Sequence, residues 1–240
     1  MTTNPALNND SFTEVAVERG RGAMTVQGAV NRTAFLLALV IGTGAIGWNA
    51  GPNAVGLALL AGIPAFIVAI ITCFKKSWSP VLAPTYAVLK GLAIGAISAA
   101  FNRAYPGIVL QAVILTAATL CIMLGAYTTG LLRATEGFVR GVMIATGAIA
   151  LFYLVSLIFS LCGSSLPIVH GNGTLSIVIS VVVVGVAAMN LIIDFAVIEH
   201  GAAGGAPKYM EWYAAFGLLV TLVWLYLELL RLLAKISSRK

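Results

Sequence analysis

The run LSIVISVVVVGVAAMNLIIDFAVI, from Leu175 to Ile198, decides the fold. Its one charged side chain is Asp194, and no proline interrupts it. An apolar stretch of about 20 residues is long enough to cross the hydrocarbon core of a bilayer as a helix. Working outward, similar runs cover Ala34–Ala50, Ala54–Phe74, Val81–Phe101, Gly107–Tyr127, Gly141–Cys162 and Trp212–Leu233. Between them lie Gly51-Pro52-Asn53, Lys75-Lys76 with Pro80, Pro106-Gly107, Arg133 to Arg140, Gly163 to Gly173, and Gly201 to Pro207. Glycine, proline and charge are the residues that end membrane helices. The pattern predicts an all-α membrane protein, a seven-transmembrane-helix bundle spanning 34–235. A polar cytoplasmic tail over 1–33 precedes it and a short basic tail over 236–240 follows.

Composition agrees. The 240 residues are 60% hydrophobic and 9% charged, with a mean hydropathy of +1.01; soluble domains carry about 25% charged residues. The net charge of +6 comes from basic residues scattered through tails and loops. That is the distribution an anionic inner leaflet favours, and it gives no support to nucleic-acid binding. With the N-terminus inside, Arg19, Arg21, Arg32, Lys75, Lys76, Arg133, Arg140 and Lys208 fall on the inner side. The outer loops hold only Arg103. The tail with Arg231, Lys235, Arg239 and Lys240 runs against this rule, and a last segment that enters and returns would satisfy it better. Seven full crossings remain the favoured reading. Trp48, Trp78, Tyr105 and Trp212 fall near span ends, where amphipathic rings settle.

Near the centres of these spans stand three charges: Lys90, Asp194 and Glu228. A charge at mid-bilayer costs about 2.5–3.5 kcal/mol on insertion scales, so such groups mark pairing or function. Other motifs yield to simpler readings. Gly42-Thr43-Gly44-Ala45-Ile46-Gly47 matches the dinucleotide fingerprint in letters only, because no strand precedes it and it lies within a span. Gly47-x-x-x-Gly51 and Gly91-x-x-x-Gly95 are spacings that let helices approach closely. Cys73, Cys121 and Cys162 lack metal or redox spacing and read as small buried packing residues. His170 and His200 read as loop residues with no second ligand nearby. Ser164 and Ser165 with His170 lie together in a glycine-rich turn, which does not hold a nucleophile against a base. Asp194 and Glu228 lack the surroundings of an aspartyl protease dyad. No enzyme activity and no organic cofactor is expected.

The strings Asn190-Leu191-Ile192-Ile193-Asp194-Phe195, Ile198-Glu199-His200-Gly201 and Lys208-Tyr209-Met210-Glu211-Trp212-Tyr213 resemble the Bax-inhibitor-motif family, in its bacterial branch. So do Leu225-Tyr226-Leu227-Glu228, Ser79-Pro80-Val81-Leu82-Ala83-Pro84-Thr85-Tyr86-Ala87, Tyr105-Pro106-Gly107-Ile108-Val109-Leu110-Gln111 and Asn4-Pro5-Ala6-Leu7. The resemblance implies a seven-helix bundle with the last helix central, in a bacterial cytoplasmic membrane. It also implies a pH-sensitive calcium leak closed by two carboxyls, on the sixth and seventh helices, that share a proton.

Asp194 fits the first of these carboxyls. For the second, Glu228 matches by its local string, whereas an ungapped register from Tyr209 leads to Leu219–Thr221, which holds no acid. At 1.5 Å per residue, ideal helices would set Asp194 and Glu228 roughly 20 Å apart, and would bring Glu211 level with Asp194. The family pattern also implies an acid within the stretch Tyr86-x-x-x-x-Gly91, where this chain has Lys90. Lys90 could bridge the two acids, or simply neutralise one of them to permit burial.

The expected ion-pathway and gate residues are therefore Asp194, Glu228, Lys90 and Glu211, with Asp194 as a weak calcium contact. Expected partners are the bilayer, calcium and protons. The alternative is a membrane-embedded regulatory protein that binds a membrane quality-control protease, with the 33-residue polar tail as its handle.

Overall fold

The computed structural model describes residues 22–51, 54–161 and 173–239. Among them run α1 (Val26–Trp48), α2 (Ala54–Phe74), α3 (Ser79–Ala104), α4 (Ile108–Thr128), α5 (Glu136–Leu161), α6 (Thr174–Ala203) and α7 (Met210–Ser237). All seven are long and apolar enough to cross a membrane. A single 3-10 turn, Lys76–Trp78, leads into α3, with Pro80 in the first turn where a missing N–H costs nothing. Pro64 and Pro84 lie inside α2 and α3, a placement membrane helices tolerate.

The helices overrun the apolar runs because their ends reach into the polar interface. Residues 26–33, assigned from sequence to the tail, are the first turns of α1, capped by the Thr25 hydroxyl on the Gly28 N–H. At the other end of the bundle, α7 continues without a break to Ser237, so the last segment does not turn back. Its basic residues are occupied. Arg231 pairs with Glu228, Lys235 donates to the Ser180 hydroxyl at 2.9 Å, and Arg239 donates to the Thr174 hydroxyl at 2.8 Å.

α7 is central, packing against α1, α3, α4 and α6. It supplies much of the core: Leu219, Leu225 and Leu230 are fully buried beside Leu191 and Ile192 of α6 and Leu36 of α1. The closest approach is between α1 and α3. A methyl group on Gly91 would strike Thr43 and Val40, one on Gly95 the backbone of Gly44, and one on Gly47 the backbone of Leu92. Close backbone approach is what small residues give a membrane interface, where lipid tails remove the hydrophobic drive. The letters GxGxxG thus fall on a helix crossing. Gly51 serves the α1–α2 turn instead, at φ +57°.

Two expectations are corrected. Cys73 and Cys121 face outward, not into the core, because an apolar side chain gains nothing by leaving lipid for protein. His200 is helical, its Nδ1 bonded to the Ala196 carbonyl at 2.7 Å, since α6 runs on to Ala203. Cys162, the Gly163–His170 turn and the N-terminal tail before Gly22 lie outside the described residues.

Candidate functional site

The buried acids occupy three levels along α7. At its start, Glu211 is 1% exposed and accepts from the Thr25 backbone N–H at 3.1 Å and its hydroxyl at 2.9 Å. Lys208 reaches the same oxygen at 2.9 Å, and Arg32 approaches the other at 4.0 Å. Arg32 also lies over the Trp212 ring, 4.7 Å from its centroid. Just outside, the Met24 N–H donates to the Ala206 carbonyl and the Lys208 N–H to the Gly22 carbonyl, a short antiparallel strap. The Ser79 hydroxyl adds a bond from α3 to the Tyr209 carbonyl at 2.9 Å. Thr25, Lys208 and Ser79 each bond across to a neighbouring segment and lock a helix start, which is the signature of an anchor.

Asp194 occupies the middle level, on α6. Its Oδ1 would lie 3.9 Å from a methyl group placed on Gly217, and Thr221 is its polar neighbour on α7. Its buried Oδ2 has no hydrogen-bond partner among the described residues. One turn earlier, the Asn190 amide donates to the Thr146 hydroxyl of α5 at 2.8 Å and to the Val186 carbonyl.

Glu228, 2% exposed, forms the third level. It accepts from the Tyr153 hydroxyl at 2.9 Å and pairs with Arg231 at 2.8 Å. From the level of Gly217–Thr221, Glu228 lies roughly 10–17 Å further along α7, and Glu211 about 9–15 Å back, at 1.5 Å per residue. The structure therefore brings neither Glu228 nor Glu211 to Asp194. Glu211 falls short because α6 extends to Ala203, which sets Asp194 opposite a later part of α7. Lys90 does not bridge the acids: among the described residues it forms no ion pair within 4 Å. It shares a cavity with Glu228.

Two cavities flank the middle level. One, of about 930 Å³, opens where α1 begins and α6 ends; it is lined by Val30, Tyr127, Arg133, Phe195, Glu199 and Leu218. Within it the Tyr127 hydroxyl donates to the Glu199 carboxylate. The other, of about 890 Å³, opens where α3 and α7 end and α6 begins. It reaches along α7 from Lys235 to Trp224 and includes Lys90, Tyr153 and Glu228. Along α7, the first cavity stops at Leu218 and the second at Trp224. Asp194 faces Gly217 and Thr221, beside the limit of the first cavity and short of the second. Tyr153, Tyr127 and Thr146 were not legible as site residues, because nothing in their own spans signals a partner on another helix.

The family model described as Bax inhibitor 1 like matches residues 4–238. The chain belongs to the Bax inhibitor 1 like family. No curated protein and no solved structure gives a significant match. Within this family frame, the register counted from Tyr209 and the geometry point to the same place. The α7 segment facing Asp194 holds Gly217 and Thr221 and no acid. Glu228, despite its matching local string, belongs to a separate cavity. This member of the Bax inhibitor 1 like family is a multi-pass membrane protein.

Proposed function

We propose that this protein is a pH-sensitive cation leak pathway of a bacterial cytoplasmic membrane, with calcium as the favoured ion and Asp194 as the gate. The observation that carries the reading is the position of Asp194 between two cavities that open at opposite ends of the bundle. An ionised Asp194 offers hard oxygen ligands of the kind calcium takes, with its free Oδ2 available. Among the described residues no group of three or more His, Cys, Asp or Glu side chains converges. Thr221, backbone carbonyls and water would complete the shell, so affinity is low, as a leak requires.

Protonation removes the charge and lets the carboxyl donate to a neighbouring oxygen, closing the α6–α7 contact. Flux should therefore rise with pH. The cavity at the C-terminal end of α7 holds Lys90, Arg231 and Lys235 against Glu228, a net positive lining that depletes cations and keeps conductance small.

The test is calcium uptake into dye-loaded proteoliposomes over a pH series, comparing wild type with Asp194→Asn. Flux that climbs with pH in the wild type and loses that dependence in the variant supports the proposal. Wild-type flux no greater than in protein-free vesicles overturns it. The alternative, a regulatory membrane partner of a quality-control protease, would then take its place.

A further inference from the structure

We propose that the cavity between α3, α5, α6 and α7 is a binding site for the phosphate headgroup of an anionic phospholipid, drawn from the leaflet at the C-terminal end of α7. This does not depend on the leak reading. Three cations line the cavity and one carboxylate opposes them. Glu228 is already committed to Arg231 and Tyr153. Lys90 has no ion-pair partner among the described residues, and Lys235 is held only by the neutral Ser180 hydroxyl and the Ser176 carbonyl. Two ammonium groups thus line the cavity with no ion pair of their own, and the carboxylate that lines it with them is paired with Arg231. Lysines in the apolar zone of a membrane ordinarily pair with an acid or reach water. Here the cavity itself is where an anion would complete the set.

The walls indicate that the anion carries hydrocarbon. Phe66, Phe101, Phe152, Trp224 and Leu227 line the same space, and its volume of about 890 Å³ far exceeds a phosphate ion. Phe66 belongs to α2 and is 67% exposed on the outside of the bundle, so the cavity reaches the lipid-facing surface sideways. Ser156, Ser160 and Ser180 add hydroxyl groups to the lining. A headgroup at Lys235 and Lys90 with an acyl chain along Phe66 and Trp224 uses each of these features. A soluble anion would use only the polar half.

The test uses the full chain reconstituted in mixed bilayers, with Trp48, Trp78 and Trp212 each replaced by Phe so that Trp224 is the reporter. Its fluorescence is titrated with brominated phosphatidylglycerol and, separately, brominated phosphatidylcholine. A lysine beside an anionic headgroup contributes about fivefold in affinity, so the wild-type lysines should give a clear preference for the anionic lipid. Lys90→Gln and Lys235→Gln should each lower that preference by about the same factor, while Lys90→Arg retains it. Equal quenching by the two lipids in the lysine-intact protein overturns the proposal, and so does a preference that both glutamine variants leave unchanged. Relief of quenching by inorganic phosphate at constant ionic strength would assign the site to a free anion and overturn the lipid. If a glutamine variant fails to reconstitute, loss of the preference at high salt replaces it as the criterion.

Discussion

The carboxylate of Glu211 fills the space that a side chain on Gly28 would need: a methyl group there would overlap the carboxyl group. The two residues are far apart in sequence, on the first and last helices, and only glycine lets the acid reach Thr25. Gly28→Ala should therefore expel Glu211 from its anchor and destabilise the protein by about 1–3 kcal/mol, the usual range for overpacking. Thermal unfolding in detergent checks this. The same variant should expose the Met24 and Lys208 amides to faster hydrogen exchange, since the strap they form loses its support.

Ser98 of α3 and Tyr226 of α7 share a buried hydrogen bond of 2.6 Å. Removing either hydroxyl strands the other in a dry interface, so Ser98→Ala and Tyr226→Phe should each cost about 1–2 kcal/mol. The double variant should cost less than the sum, because it strands neither group. Strict additivity in a double-mutant cycle would show that the bond contributes nothing.

Lys90 is expected to act as an electrostatic brake on the leak. In vesicles of phosphatidylcholine alone, Lys90→Gln removes one positive charge from the cavity that holds Glu228 and should raise calcium flux roughly threefold to tenfold at fixed pH, as local cation concentration recovers. The effect should shrink at high salt. Unchanged flux in proteoliposomes would place the ion path outside this cavity.

Thr221→Asp sets a second carboxyl on the α7 segment that faces Asp194. Two carboxyls in one site resist ionising together and hold a shared proton. The pH of half-maximal flux should then move upward relative to wild type. An unchanged midpoint would mean that the two side chains do not meet.

Much of the fold was legible because the bilayer imposes it. A helix that must span a fixed thickness leaves an apolar run, and all seven runs lie within helices or end beside them. The ends were read short because interfacial turns such as 26–33 are polar and carry no apolar signal. Asp194 was legible as a lone charge, and the register from Tyr209 pointed to the part of α7 it faces. Glu228 matches by its local string, which says nothing of depth; the helix rise set it roughly 20 Å from Asp194, and in the structure it lies in a separate cavity. Glu211 was read as a gate residue, whereas its partners are Thr25, Lys208 and Arg32. Thr25 is a residue type suited to a helix N-cap, but no local pattern names a partner on the last helix. Cys73 and Cys121 were misread by applying the inside-out rule of water to a chain dissolved in lipid.

The strap from Gly22 and Met24 to Ala206 and Lys208, with Thr25 clasped by Glu211, gives the molecule an order of completion. The first helix leaves the ribosome with its cap half built, since the acid that finishes it is translated only with the last helix. Until then α1 can rest on α3 through its glycines, but its leading end stays open. The final hairpin closes that end, so a chain truncated before Glu211 would carry the mark of its own incompleteness at its beginning.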